Sequence, residues 1–210
     1  MPPLVNKALQ ILSTVLMLSI FFACTNNSPQ HNEWDALKLK EADLVFRTGR
    51  SMASRVVLAS DSEGYYSHIG IIVMQNNTLL VAHAVPGESR PNEPDTVKTE
   101  SLSDFFNYNK AKSGCIMRLD ITSEQKQQIA KYALQKAQCG TLFDHRYDLG
   151  DTTKLYCTEL VWMAYQSAGI DITNNTRKYI NFSKFKGDMI FPSHIQKNKN
   201  LKQVYSFTKH

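Results

Sequence analysis

Several short apolar runs along the chain predict β-strands. Residues 42–46 predict a first strand. Residues 66–74 and 78–85 are rich in β-branched and aromatic side chains, and residues 75–77, Gln-Asn-Asn, form a link of the length and composition typical of a hairpin. We therefore expect two neighbouring antiparallel strands, with a further strand at residues 114–119.

Helical spacing of apolar residues is clearest in the second half of the chain. Thr122-Ser-Glu-Gln125 has the pattern of a capping box, and apolar residues follow at helical spacing up to Gly140. A last helix is predicted from Cys157 to Ala168, with an apolar face formed by Leu160, Val161, Ala164, Tyr165 and Ala168.

Shorter and less regular segments connect these elements. Residues 51–60 predict a short helix and residues 101–107 one or two helical turns, whereas residues 86–94, with three prolines, predict a loop. From residue 171 onward the chain is polar and rich in Lys and Asn, and we assign it no regular element. Its expected packing points are Phe182, Phe185, Ile190, Phe191 and Pro192.

The N-terminus has the pattern of a lipoprotein signal. Lys7 precedes a mostly apolar run, and Ala23-Cys24 places a small residue before a cysteine, although Phe21 stands where such signals usually carry Leu. An uncleaved anchor helix is the alternative, but the run is shorter than the ~20 residues of a spanning helix. We predict a signal peptide at residues 1–23, a lipidated tether and linker at 24–40, and a domain at 41–210.

This pattern also predicts a location. Lipidation at Cys24 would attach the chain to a membrane through its N-terminus, and we expect a bacterial cell-envelope protein, facing the periplasm from the outer membrane. Without residues 1–23 the chain has 23 basic and 19 acidic residues, because only Lys7 is lost from the 24 basic ones. A charge of +4 without basic clusters does not indicate nucleic-acid binding.

Two of the four cysteines have no predicted role. If Cys24 is lipidated and Cys157 is catalytic, then Cys115 and Cys139 remain as a possible disulfide, which an extracytoplasmic location would permit. Spacing alone does not show that their Cα atoms come within bridging distance. We favour two buried free thiols.

Cys157 is the candidate nucleophile. It opens the last predicted helix, where backbone N–H groups and the helix dipole favour a thiolate. His68 begins an apolar strand, and a base there would reach the sulfur from the sheet. The alternatives are an inert buried cysteine and a surface histidine.

Two further histidines require separate interpretations. His83 lies among apolar residues of the neighbouring predicted strand, either as a core histidine bonded to backbone or as the residue that orients His68. His145 lies in a loop with Asp144, Asp148 and Asp151. Carboxylates in such loops usually make turns and caps, and no HExxH or paired CxxC spacing is present, so we predict no metal and no cofactor.

Several of these segments together resemble a known family. They are residues 42–46, Tyr66-Ser-His68-Ile-Gly-Ile, the strand that ends in His83-Ala-Val-Pro86, and Phe143-Asp144 ahead of Tyr156-Cys-Thr-Glu-Leu-Val161. This set resembles the YiiX/YaeF-like proteins, the circularly permuted branch of the NlpC-type cysteine peptidases with a papain-like core.

The resemblance implies an α+β fold, with an antiparallel sheet or small barrel packed against helices and the nucleophile at a helix N-terminus. It implies Cys157 as nucleophile, His68 as base and His83 as orienting residue, although some relatives carry glutamate at this last position. Glu159 is expected to support the helix N-terminus.

The expected function is hydrolysis of an amide bond, in a peptide or amino-acid amide, by an extracytoplasmic cysteine enzyme through an acyl-enzyme. A thiol acyltransferase or lipid esterase is the first alternative, because other permuted relatives handle acyl chains. A non-catalytic envelope module that binds peptidoglycan or lipid is the second. The substrate-binding residues and the oligomeric state are not indicated by the sequence.

Overall fold

The computed structural model describes residues 37–182 and 185–208. The predicted signal peptide, Cys24 and most of the predicted tether lie outside these residues. The described elements in chain order are β1 (Leu44–Gly49), α1 (Met52–Ser60), β2 (His68–Gln75), β3 (Thr78–Ala84), β4 (Val97–Glu100), α2 (Leu102–Phe105), β5 (Ala111–Leu119), α3 (Ser123–Gln138), β6 (Leu142–Phe143), β7 (Lys154–Leu155), α4 (Cys157–Ser167), β8 (Lys178–Phe182), β9 (Phe185–Met189), α5 (Pro192–Gln196) and β10 (Leu201–Thr208).

One six-stranded antiparallel sheet organises the described chain, in the order β10-β5-β1-β2-β3-β4. β2 and β3 form the predicted hairpin, in which Asn76 and Asn77 have φ angles of 49° and 59°. Asn tolerates this left-handed conformation, which gives the turn the same twist as its strands. The predicted hairpin and the predicted mixture of antiparallel sheet and helices are confirmed.

Both faces of the central strands are buried, because alternate side chains enter two different clusters. Leu44, Phe46 and Ile71 belong to the cluster beneath α3 and α4. Val45 and Ile72 belong to the cluster on the opposite face, with Phe105 and Phe106 from the region of α2. This explains why β1 and β2 are continuous apolar runs rather than alternating ones.

The two long helices begin and end where the sequence predicts. The Thr122 side chain accepts a bond from the Gln125 backbone N–H, and the Gln125 side chain accepts one from the Thr122 backbone N–H, which completes the capping box before α3. α4 begins at Cys157 and is followed by Gly169 with a φ of 74°. Its predicted apolar face is buried at Leu160, Val161, Ala164 and Tyr165.

The C-terminal segment differs from the expectation. Residues 178–208, assigned no element from the sequence, contain three strands and a short helix. β10 pairs with β5 along its length, and its irregular register between Gln203 and Tyr205 interrupts the alternation that would have identified it. Its partner strand lies more than 80 residues earlier, and only tertiary pairing stabilises it.

The cysteine prediction was half correct. Cys115 and Cys139 are both free, and Cys115 is buried, but Cys139 is exposed at the end of α3. Cys139 follows the last helical residue, where the chain turns through Gly140 at a φ of 61°. Among the described residues, no helix combines the length and apolar character that a membrane crossing requires.

We predict that Gly70→Ala destabilises the protein by about 1–3 kcal/mol, because overpacking of a close strand contact has a cost of this size. A Cβ at Gly70 would lie 2.6 Å from Val81 Cγ1 and 3.2 Å from His83 Cβ. Gly150→Ala is the control, in an exposed loop, with an expected change within about 0.5 kcal/mol. Urea unfolding measures both, and equal stabilities would contradict this account of Gly70.

Candidate active site

Cys157 is the first residue of α4, and buried hydrogen bonds fix the start of that helix. The backbone N–H of Ile190 donates to the Tyr156 hydroxyl at 3.0 Å. The Thr158 hydroxyl donates to the Ile190 carbonyl at 2.6 Å. Tyr156 precedes the helix in an extended conformation without a side-chain cap. The residues on both sides of Cys157 are therefore bonded to the same backbone position.

Cys157 and His68 line one cavity of about 290 Å³. Gly49, Ser67 and residues of α1 form another part of its wall. His68 is the first residue of β2, and the backbone N–H of its neighbour Ile69 is close enough to the Cys157 thiol to lower the pKa of that thiol. The fold thus brings the two residues, 89 positions apart in the chain, to one pocket.

Burial raises the pKa of the Cys157 thiol to about 11. The N–H groups of Ile69, Thr158 and Cys157 itself, and the charge of Arg47, lower it by less. The N–H groups at the helix start lower the pKa, as expected for a helix N-terminus. The net shift is nevertheless away from the thiolate, because desolvation of Cys157, a residue that is only 8% exposed, exceeds this contribution.

His68 and His83 form a buried pair. His68 Nε2 and His83 Nδ1 are 2.8 Å apart, and the ring of Phe105 packs against both. The pairing follows from the hairpin, which places the two residues on the same face of neighbouring strands. His83 thus contacts the His68 ring, and its role as the orienting residue stays a prediction.

Glu100 lies next in this chain of contacts. Its Oε1 is 3.2 Å from His83 Nε2, at an angle that makes the contact chiefly electrostatic. Glu100 was not identified from the sequence. Lys98 pairs with His83 across β3 and β4, so Glu100 lies two residues further on the same face. The alternation of side chains along residues 97–100 was the available signal. It does not give the register of β4 against β3, which depends on the length of the loop before β4.

Burial lowers the pKa of both histidines, and for His68 the positive charges of Arg47, Lys98 and Lys110 add to this effect. Glu100 acts in the opposite direction on His83, because its carboxylate places a negative charge 3.2 Å from His83 Nε2. The pKa of Glu100 is held far below its usual value by His83, Lys110 and Lys98, despite burial. Glu100 is therefore ionised at any working pH.

A compact ionic cluster surrounds these residues. Arg47 is 2% exposed, and it donates to the Phe105 carbonyl at 2.8 Å and pairs with Glu88. Lys110 lies 2.7 Å from Glu100 and 3.2 Å from Glu88. A buried arginine needs such compensation because an unpaired buried charge is costly. This cluster fixes Glu100 against His83.

The aspartate-rich loop positions an aromatic wall of the cavity. Buried Asp144 accepts hydrogen bonds from the backbone N–H groups of Arg146 at 2.8 Å and Asp148 at 2.5 Å. Tyr147, between them, has a φ of 55° and packs 5.2 Å from the Tyr156 ring. The prediction that carboxylates in this loop make turns is confirmed, whereas Tyr147 was not identified from the sequence.

Glu159 is fully buried one turn into α4. Burial raises its pKa to about 8, and the charges of Asp144, Asp151 and Asp148 act in the same direction. The Tyr156 backbone opposes the shift, although neither carboxyl oxygen has a hydrogen bond of ordinary geometry among the described residues. At neutral pH the carboxyl is mostly protonated, and its support of the helix N-terminus stays a prediction.

The architecture and the pocket define a class of protein. A family model described as permuted papain-like amidase enzyme, YaeF/YiiX, matches residues 38–206, most of the described chain. The chain belongs to this family, and the resemblance noted in the sequence is confirmed.

Two relatives illustrate the similarity. The chain is 29% identical over 129 residues to an uncharacterized protein YiiX of Escherichia coli (strain K12), across 60% of this chain and 57% of that protein. It thus spans little more than half of that relative's length. A crystal structure of YiiX from Escherichia coli O157:H7, described as a metalloprotein, has a TM-score of 0.64 at 19% identity. The match covers 81% of this chain and 97% of that one, and it shows a shared fold.

We predict that Glu159→Gln makes the protein less sensitive to alkaline pH. The folded pKa of about 8 exceeds the ordinary value of 4.5. The stability linked to Glu159 is thus complete below pH 4.5 and lost as the pH rises toward 8. Between pH 5 and pH 8.5, urea unfolding of the wild type should lose roughly 2–4 kcal/mol more than that of the variant. Parallel curves would contradict the buried, protonated carboxyl.

Proposed function

We propose that the chain is a cysteine hydrolase that cleaves an amide bond at Cys157, with His68 as the base. The observation that carries the proposal is the shared cavity, in which the Cys157 thiol lies at the start of α4 and His68 at the start of β2. Membership of the amidase family supports the amide as the bond attacked.

The protonation states of the histidines follow from Glu100. A carboxylate beside His83 Nε2 favours the proton on that nitrogen, which leaves His83 Nδ1 as an acceptor. The 2.8 Å contact is then a bond donated by His68 Nε2, and His68 Nδ1 keeps a free electron pair. Glu100 acts in this scheme as a positioning residue, through His83.

The raised thiol pKa and the lowered imidazole pKa favour a neutral pair before reaction. The thiol proton moves to His68 Nδ1 as the sulfur attacks the carbonyl carbon and forms the S–C bond. The N–H groups around the sulfur are suited to hold the developing oxyanion. His68 then protonates the leaving nitrogen as the C–N bond breaks, and an acyl-enzyme remains.

Water completes the cycle. His68 accepts a proton from water as the oxygen attacks the acyl-enzyme, and the S–C bond breaks to release the acid and restore the thiol. A lipid or amine in place of water would make the same site an acyltransferase. A non-catalytic binding module remains the alternative from another class, and the presence of both Cys157 and His68 in one cavity favours the enzyme.

The described residues do not fit a metal site. One relative is described as a metalloprotein. Within residues 37–182 and 185–208, however, no three His, Cys, Asp or Glu side chains gather as ligands would. The two imidazoles contact each other through Nε2 and Nδ1 rather than converging on a common point. We therefore propose a reaction without a metal.

We also propose that the enzyme acts outside the cytoplasm, attached through Cys24. The support for this is the sequence pattern, in which Ala23-Cys24 follows an apolar run with Lys7 before it. A periplasm-facing position at the outer membrane is the corresponding location.

We predict that Cys157→Ala and His68→Ala each lower turnover at least 10³-fold without unfolding the protein. The assay uses a panel of aminoacyl and N-acylaminoacyl 4-methylcoumaryl-7-amides, and circular dichroism monitors the fold. Retained activity in either folded variant would overturn the assignment of that residue.

Labelling with iodoacetamide tests the base independently of substrate identity. Cys115 is an internal reference for a buried thiol, because burial also raises its pKa to about 11. It belongs to the core and lines neither cavity, so the His68→Ala variant is the comparison that isolates the base. Cys157 should react at least about tenfold faster than Cys115 at pH 7.5, and His68→Ala should remove this advantage. A Cys157 that reacts no faster than Cys115 would favour the non-catalytic binding module.

We predict that Glu100→Gln lowers kcat about 10–100-fold, because the imidazolium formed on His68 loses its supporting charge. The acid limb of kcat/KM should also move to lower pH, since the negative charge that raises the pKa of His83 is gone. Glu88→Gln removes a charge from the same ionic cluster but leaves Glu100 against His83, and its effect should be smaller. An unshifted acid limb with normal kcat would exclude Glu100 from the mechanism.

A further inference from the structure

A second cavity opens beside the cavity of Cys157. This apolar trough has a volume of about 480 Å³, within the usual range for ligand sites. It lies between α1 and the β8–β9 hairpin, and Phe191 closes part of it. Its apolar lining consists of Val56, Val57, Ala59, Ile180, Met189 and Phe191.

The trough adjoins the Cys157 cavity, because Val57 and Tyr147 line both. Tyr147 is the residue that Asp144 holds in its left-handed conformation, by accepting bonds from the N–H groups on either side of it. Strained residues of this kind persist where the surrounding structure fixes them, often at functional sites. A molecule that reacts at Cys157 therefore has an apolar trough next to the cavity that holds the sulfur.

The residues that line the trough indicate which kind of molecule it can hold. Among the described residues, Tyr147 and Ser60 are the polar members of the lining, and the Ser60 carbonyl already accepts a bond from Lys178 Nζ at 2.9 Å. A peptide laid here would bury backbone N–H and C=O groups against a wall that offers few partners, which is costly. An alkyl chain has no such groups and gains from leaving water.

We propose that this trough holds the alkyl chain of a lipid amide whose amide bond is cleaved at Cys157. The proposal rests on the proposed function, because it names the substrate class of that same site. It also explains an exposed apolar feature of α1. Val56 is 51% exposed, and in the complex its side chain would contact the alkyl chain instead of water.

The test uses N-alkyl iodoacetamides with chains of two to ten carbons, below their micellar concentrations. They label the nucleophile without requiring turnover. For the wild type, the rate of Cys157 alkylation should rise about two- to fourfold per methylene until the trough is filled. Mass spectrometry of the labelled peptides measures the rate at each chain length.

Two tryptophan variants of α1 make a matched pair. Ala59 lines the trough and is exposed, so Ala59→Trp fills the trough without replacing a core residue. Arg55 is exposed on the same helix and lines neither cavity. The ratio of the decyl to the ethyl rate should fall at least tenfold in Ala59→Trp and stay at the wild-type value in Arg55→Trp.

The outcomes separate the two proposals. One outcome is labelling at Cys157 that shows no dependence on chain length, or a dependence that Ala59→Trp leaves unchanged. Either result would overturn the binding of an alkyl chain in the trough and would leave the proposed cysteine hydrolase unaffected. A faster reaction with iodoacetylated trialanine amide than with the decyl reagent would assign the site to peptides and overturn the lipid amide. A Cys157 that no reagent labels would overturn the proposed function, and this proposal with it.

Discussion

The contact between His68 and His83 is the interaction on which the rest of the site depends. Two imidazoles buried on one face of a hairpin are costly unless each finds a partner, and each is the partner of the other at 2.8 Å. The ring of Phe105 removes water from both. The pair is stable in this position because the hairpin register, set by two asparagines, allows no other.

Local signals were sufficient for the parts of the fold that contain Cys157 and the two histidines. The hairpin was predictable from its turn residues, α3 from its capping box and the start of α4 from its apolar spacing, because each pattern is complete within about 20 residues. β10 was not predictable, since its stability comes from β5 and its register is irregular. For the same reason Glu100 was missed, as its place beside His83 depends on how β4 pairs with β3.

The thiol pKa shows where reasoning from a motif is insufficient. A cysteine at a helix N-terminus receives N–H groups and a favourable dipole, and the sequence reveals this. The sulfur loses water to residues that come from several separate segments of the chain and meet around one cavity. The sequence does not reveal how complete this desolvation is. Desolvation is the larger contribution here and reverses the expected shift.

Because the thiol and the imidazole are both neutral before reaction, the charges on sulfur and imidazole must form during the reaction itself. In the proposed mechanism, His68 becomes positive as the sulfur attacks, among Arg47, Lys98 and Lys110, which already lower its pKa. Glu88 and Glu100 are the negative groups of this cluster, and only Glu100 contacts the histidine pair through His83. The ionic cluster thus acts on Glu100 first and, through Glu100, on the histidine pair. Its cations keep Glu100 ionised, and in the proposed mechanism Glu100, through His83, makes the positive charge formed on His68 tolerable.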